Sequence, residues 1–297
     1  MDRYQLNETG GTMADDFVGG HNGTLSGDAT FVSGGINGGD ALSVNNSSSN
    51  GWVNLGTYFN PSGDFSIVAW INTTQTAGAF VVGNNQQYVD NGFGLGVNVI
   101  DPNAPNWGQT NKAAFEASQH PNSGGQAANS TTSVNDGTWH QIVGIYQASG
   151  LNEIAVDGMI QGSFGSVPYA NPNNFLVIGG ADNNANNPDG SFTGLIDDVQ
   201  IYNGALSASQ VQYLYNHPDQ TLAPPTLSSP AYSASGQFQT LLNGFSNQDY
   251  TLQMSTNLGS TNWVTLYVTN NSATNSFLLT DPNATNQQRF YRVLVGP

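Results

Sequence analysis

The sequence predicts an all-β protein built from two sandwich domains. Three observations carry that expectation. Short apolar stretches recur about every 8–12 residues between clusters of Gly, Asn, Asp and Ser, which is sandwich rhythm. Helical periodicity is scarce, and the 297 residues include 36 Gly and 13 Pro. A spacer, Thr221-Leu222-Ala223-Pro224-Pro225-Thr226, breaks the rhythm, and its Pro pair favours an extended linker. At roughly 150 residues per domain the length suggests two domains. The spacer puts them at 1–221 and 222–297.

The elements follow in order. Arg3-Tyr4-Gln5-Leu6 reads as an opening strand, and further strands are expected at 41–44, 52–55, 65–72, 79–82, 92–99, 139–147, 153–156, 174–179 and 195–202. Val156-Asp157-Gly158-Met159 reads as a tight hairpin, because Asp-Gly supplies the left-handed positions of a type I′ turn. One helix is expected: Ser207 caps it, Val211, Leu214 and Tyr215 share a face, and Pro218 stops it. After the spacer, strands resume at 236–242, 250–255, 263–268, 276–280 and 289–295. Two segments fall outside the rhythm and are expected to be loops. Residues 101–136 are polar, with Trp107 and Phe115 as their large apolar side chains, and 182–190 read DNNANNPDG. Long loops on a rigid β scaffold are where binding tends to reside.

Composition excludes several functions. Four Lys and Arg stand against 20 Asp and Glu, giving a net charge of −16. So few cations cannot neutralise a phosphate backbone, so a nucleic-acid partner is not expected. Charged residues are 8% of the chain, against about 25% in ordinary domains. Apolar runs such as 65–71 fall short of the ~20 residues that span a bilayer, so no membrane span is expected. There is no Cys, hence no disulfide or thiolate chemistry. No apolar run follows Met1-Asp2-Arg3, so the chain reads as a mature protein or a fragment with an added start Met.

Six pieces in the same order resemble the laminin-G-like, concanavalin-A-like jelly roll of secreted bacterial proteins. They are Tyr4–Thr9, Asp16-x-x-Gly19-x-x-x-Gly23-Thr24, Gly38–Ser43, Phe65–Ile71, Gly137–Val143 with its Val156-Asp157-Gly158 hairpin, and Phe192–Asn203 followed by Ala205-Leu206-Ser207. The resemblance covers nearly all of 1–218 and implies a jelly-roll β-sandwich in an extracellular or cell-surface protein. In the second domain, Tyr250–Leu258, Trp263 and Arg289-Phe290-Tyr291-Arg292 resemble a small fibronectin-III-like β-sandwich of bacterial surface proteins. That implies an accessory role and no known chemistry.

Hydrolases of the jelly-roll superfamily place paired carboxylates on one strand face as Glu-x-Asp-x-x-Glu, at the spacing a retaining mechanism needs. This chain has three Glu, Glu8, Glu116 and Glu153, none with an acidic residue two positions on. Glu116 and His120, four apart, could exchange a proton on a helix, yet they fall in the polar loop. His140 reads as structural, His217 as a helix cap, and His21, in a Gly loop, as the histidine best placed for a metal. An enzyme is therefore not the favoured reading.

The resemblance implies a structural Ca²⁺ held by Asp197, the Gly39 carbonyl and Asp16. The phase of Val199 and Ile201 would turn Asp197 to the apolar side, and a buried carboxylate needs a cation or several hydrogen bonds. For a glycan, Trp107 and Tyr88 offer aromatic faces and Asn184 and Asn186 offer amides, while Trp107 could equally pin its own loop. Three readings follow: a non-catalytic carbohydrate-binding or adhesion module, a structural protein self-associating through exposed β edges, and a glycan hydrolase or lyase with an unrecognised site.

Overall fold

The computed structural model describes the chain apart from residues 46–50, 85–91, 99–108, 119–126, 166–167, 171–172, 183–187, 190–191, 246–248, 260–261, 270–273, 275, 285–287 and 296–297. The chain divides into two compact units. One comprises Met1–Leu206 with Val211–Gln220, and the other Thr221–Pro297 with Ser207–Gln210.

The first unit begins with β1 (Asp2–Tyr4), β2 (Met13–Ala14), β3 (Gly23–Ser26), β4 (Thr30–Ser33), β5 (Asp40–Val44) and β6 (Trp52–Asn54). It continues with β7 (Phe65–Asn72), β8 (Ala79–Gly83), β9 (Gly92–Val97), β10 (Lys112–Ser118), β11 (Ala128–Ser133) and β12 (Trp139–Gln147). Then come β13 (Leu151–Val156), β14 (Met159–Gly165), β15 (Val177–Ile178), β16 (Ala181–Asp182), β17 (Pro188–Asp189) and β18 (Gly194–Tyr202). Two eight-stranded sheets result. The first has the order β14-β13-β12-β7-β18-β5-β4 with β1 also on β18, and the second β11-β10-β9-β8-β15-β6-β3-β2. Their pairings are antiparallel. Non-sequential neighbours such as β7 and β18 make the jelly-roll weave.

Alternation decides the core. From β7, Phe65, Ile67, Ala69 and Ile71 enter the shared core, and from β9 Phe93, Leu95 and Val97 do. The faces between them in β9 are glycines, and a Cβ on Gly94 would meet the Phe80 ring at 2.4 Å. The expected 101–136 loop contains two strands, β10 and β11. In β10 the inward residues are Ala113, Phe115 and Ala117, and two alanines leave too little apolar contrast to show the period. The Asp-Gly hairpin forms as expected: Val156 pairs with Met159, and Asp157 and Gly158 both have positive φ.

The helix α1 (Ala208–Asn216) follows β18. Ser207 N–H donates to Gln210 Oε1, and Gln210 N–H to Ser207 Oγ, a reciprocal cap. Val211 and Leu214 are buried, and the Tyr215 ring stacks on Trp70. His217 Nδ1 lies 2.8 Å from the Tyr213 carbonyl, near the negative end of the helix.

The second unit has β19 (Thr226–Tyr232), β20 (Phe238–Asn243), β21 (Tyr250–Ser255), β22 (Val264–Val268), β23 (Ser276–Asp281) and β24 (Phe290–Val295). They form two three-stranded sheets, β19-β20-β23 and β22-β21-β24. Its core is small: Leu242, Tyr250, Leu252 and Leu279, with Leu227, Leu266, Phe277, Tyr291 and Val293 packed against it.

Core density sets a first prediction. Gly144 of β12 leaves no room for a side chain, since a Cβ there would lie 2.1 Å from the Phe115 ring. Gly144→Ala should therefore destabilise the first unit by about 1–3 kcal/mol. A calorimetric melting point unchanged from wild type would contradict this packing.

Candidate functional site

The Asp/Gly loop after β2 is organised around one carboxylate. Asp16 Oδ1 accepts the N–H groups of Arg3, Val18 and Gly19 at 2.8–3.0 Å, and Oδ2 accepts that of His21 at 2.9 Å. Burial works against the Asp16 charge, but these four donors outweigh it and hold the carboxyl below its ordinary range. Asp2, on β1, joins the same cluster. Its Oδ1 lies 2.8 Å from His21 Nδ1, and its Oδ2 accepts the Tyr58 hydroxyl at 3.1 Å. Tyr58 stacks its ring on His21, with centroids 3.9 Å apart and planes 6° from parallel. Tyr4 donates its hydroxyl to the His21 carbonyl. Burial pushes the Tyr4 and Tyr58 phenols up, so both stay neutral donors.

Gly19 makes this approach feasible, because a Cβ there would sit 1.8 Å from Asp2 Oδ1. Asp2, Asp16 and His21 each place a ligand atom within 4.8 Å of the others, the one such group of His and acidic side chains among the described residues. His21 is 44% exposed, and Phe17 and Val18 beside it are 58% and 52% exposed. The surface is thus a stacked imidazole with apolar neighbours, backed by two fixed carboxylates.

A second polar centre lies on β18. Asp197 faces Trp70 of β7 and Gln200 faces Val68, so Asp198 and Val199 together oppose Ala69. This is a β-bulge, with Asp198 at φ 42°. It corrects the phase expected from the sequence. Ile196, Val199 and Ile201 enter the core, while Asp197 shares the face of Trp70, which is not part of that core cluster. Asp197 is nonetheless buried. Its Oδ2 accepts the Ile36 N–H and its Oδ1 the Asp198 N–H, both at 2.8 Å. Burial raises its pKa to about 7 despite these two bonds. Asp198 binds Arg3 Nε at 2.8 Å and accepts Gln200 Nε2.

The three expected calcium ligands have different hydrogen-bond partners. The Gly39 carbonyl accepts the N–H groups of Gly34 and Gly35, which occupies both of its lone pairs. Asp16 is committed to its own loop, as above. Asp197 alone of the three keeps acceptor capacity on each carboxylate oxygen. Asp2 and Tyr58 were not singled out by the sequence reading. Asp2 directly precedes the Arg3-Tyr4-Gln5-Leu6 motif, and Tyr58 is 37 residues from the ring it stacks on, so neither carries a local signal.

Other expected residues fall as follows. Tyr88, Trp107, Asn184 and Asn186 lie outside the described residues, as does His120. The strands around them are described. β8 runs antiparallel to both β9 and β15, so β9 and β15 end on the side of the sheet where β8 begins. Glu8 Oε1 accepts the Asp15 N–H, and Glu153 Oε2 accepts Gln147 Nε2. His140 sits between Asp157, 2.8 Å from Nδ1, and Asp136, 3.3 Å from Nε2. The bond to Asp157 raises its pKa above the ordinary imidazole value, against the opposing effect of burial.

Residues 22–212 match the family model described as the concanavalin A-like lectin/glucanases superfamily. The chain belongs to this superfamily. The match stops before Thr221–Pro297, whose fibronectin-like character it leaves untouched. No curated protein sequence matches the chain. Among solved structures, domain 4 of AbnA, a GH43 extracellular arabinanase from Geobacillus stearothermophilus in complex with arabinotriose, is similar with a TM-score of 0.53. Identity is 20%, and the alignment covers 72% of this chain and 97% of that domain. A botulinum neurotoxin type C structure, whose cell entry depends on interaction with two ganglioside molecules, has a TM-score of 0.51 at 15% identity, covering 85% of this chain and 56% of that one. The binding domain of botulinum neurotoxin DC, in complex with rat synaptotagmin II, gives 0.51 at 14% identity, over 90% of this chain and 68% of that one. These likenesses show the fold.

Two pH effects follow. A histidine with a raised folded pKa stabilises fully below its unfolded value and loses that contribution as pH rises through the folded one. The melting-point advantage of wild type over His140→Gln should therefore shrink between pH 6 and 8.5, within roughly 2–4 °C per kcal/mol. Asp197 has the same sign: its raised pKa favours the protonated fold, so stability falls as pH rises through about 7. Asp197→Asn should flatten that fall, and an unchanged slope would show that Asp197 stays ionised in the fold.

Proposed function

We propose that the first unit is a non-catalytic carbohydrate-binding module of an extracellular or cell-surface protein. The observation that carries this reading is the surface at the Asp/Gly loop. His21, stacked on Tyr58 and flanked by exposed Phe17, offers ring faces, and Nδ1 is taken by Asp2. Aromatic faces over fixed polar groups suit a sugar ring, which presents C–H faces and an edge of hydroxyls. Membership of a lectin and glucanase superfamily supports it, as does the arabinotriose bound by the arabinanase domain. Binding rather than hydrolysis is favoured because Asp2, Asp16, Asp197 and Asp198 each hold structural partners. Tyr88 is proposed to extend the ligand surface, since it follows β8, which ends on the side of the sheet where β3 begins and the Asp/Gly loop lies. Trp107, Asn184 and Asn186 follow β9 and β15, which end on the other side of the sheet, and are proposed as a separate ligand surface there.

A structural calcium at Asp197 belongs to the same reading. Its support is a buried carboxylate with open acceptor capacity, and its other oxygens would come from outside Asp16 and Gly39.

A glycan array, followed by titration calorimetry with arabino-oligosaccharides and ganglioside headgroups, tests the binding. His21→Ala, Phe17→Ala and Tyr88→Ala should each weaken it about tenfold, or ~1.4 kcal/mol, with unchanged melting. No bound glycan would sink the reading, and release of new reducing ends would favour the enzyme. For the ion, chelation should lower the melting point by about 5–10 °C, the size expected of a site saturated a hundredfold above its Kd. An unchanged melting point with no calcium found by elemental analysis would remove it.

A further inference from the structure

No Lys or Arg is available to a ligand at the Asp/Gly loop. The chain has four such side chains, Arg3, Lys112, Arg289 and Arg292. Arg3 lies beside the loop but is 8% exposed. Its Nε is held by Asp198 at 2.8 Å, its Nη2 is buried 3.7 Å from Asp219 Oδ1, and its backbone N–H is held by Asp16. Lys112 is on β10 and donates to the Thr131 carbonyl and the Ser133 hydroxyl. In the order of the second sheet β10 stands six places from β2, roughly 30 Å at about 4.8 Å per strand. Arg289 and Arg292 belong to the second unit, where Asp281 holds the first and the other lies over Trp263.

Acids surround His21 instead. Asp2 Oδ1 and Asp16 Oδ2 lie 2.8 and 3.8 Å from its Nδ1. Asp15 Oδ1 accepts Nδ2 of the adjacent Asn22 at 3.1 Å, and Glu8 Oε1 accepts the Asp15 N–H. His21 adds at most one positive charge, so the carboxylates stay in excess in either of its protonation states. The wider field has the same sign. Residues 222–297 carry Asp249 and Asp281 against Arg289 and Arg292, so the net charge of −16 resides in 1–221. We infer, on the binding reading above, that this site takes uncharged sugars and rejects uronates, sialates and sulfated sugars. An anionic sugar would shed water without gaining the charge-assisted bonds that Arg or Lys supply, and would meet like charge. A neutral ring keeps what the site offers. Its C–H face covers the imidazole, and a hydroxyl reaches His21 Nε2, the ring nitrogen without a partner among the described residues.

A glycan array probed with the full chain, carrying neutral oligosaccharides beside uronate, sialylated and sulfated ones, tests this. The bound glycans should be neutral. In calorimetry at low salt, the best neutral binder should hold about tenfold more tightly than its uronate or sialylated counterpart. High salt should narrow that gap several-fold, since screening sets in beyond about 10 Å at 0.1 M and closer in at higher salt. Asp15→Lys should narrow it at low salt, with an unchanged melting point. If that variant fails to fold, the salt series on the wild type answers instead. An acidic glycan bound as tightly as its neutral counterpart, or a gap indifferent to salt, would overturn the inference and leave carbohydrate binding standing. An array on which nothing binds would overturn both.

Discussion

The Asp197–Asp198 bulge in β18 is the constraint on which the first unit turns. Two strands share the same side of this strand: β5 pairs with Gly194–Ile196 and β1 with Val199–Ile201. The bulge falls in the gap between them. One extra residue there lets Ile196 and Val199 both face the core while Asp197 faces the other way. The outward pair then needs partners in a low-dielectric place. Ile36 and Asp198 supply N–H groups to Asp197, and Arg3 supplies a guanidinium to Asp198. Losing Arg3 would leave a buried carboxylate without its cation, the costly half of a buried pair.

Arg3 also links this centre to the exposed loop. Its side chain holds Asp198, and its backbone N–H binds Asp16, the organiser of the Asp/Gly loop. The flanking Asp2 fixes His21 and Tyr58. Three consecutive residues of β1, Asp2, Arg3 and Tyr4, thus tie the core strand to the surface where a sugar ring is proposed to sit. This is preorganisation: the loop's donors and rings are held by buried groups, so little ordering is left for a ligand to impose.

With so few cations, carboxylates are satisfied mainly by backbone N–H groups and phenols. The basic residues are all structural. Arg3 pairs with Asp198, Arg289 with Asp281, Arg292 lies over Trp263, and Lys112 reaches the Thr131 carbonyl. The net negative field therefore has no local counterweight on the first unit, which keeps molecules apart at long range. The second unit carries no net charge and lacks that protection.

Much of the fold was legible in the sequence. Near-continuous apolar runs such as Phe65–Asn72 and Trp139–Gln147, the Asp-Gly hairpin and the Ser207 cap are local codes, and each appears where its residues place it. β10 was missed because alanines mute the apolar period, and the polar β11 because its strand character comes from pairing with β10. The candidate site was legible in part. Asp16, Gly19 and His21 stood out as an Asp/Gly loop, but the contacts of Asp2 and Tyr58 span 19 and 37 residues of chain to His21. The orientation of Asp197 was misread for a related reason. Alternation is a local rule, and a bulge suspends it wherever two partner strands compete for one edge. The sequence by itself determined the strands, the turns and the charge asymmetry, because these depend on neighbours along the chain. The tertiary structure alone decided which carboxylates meet which donors, because those choices follow from how β1, β5 and β18 share a single edge.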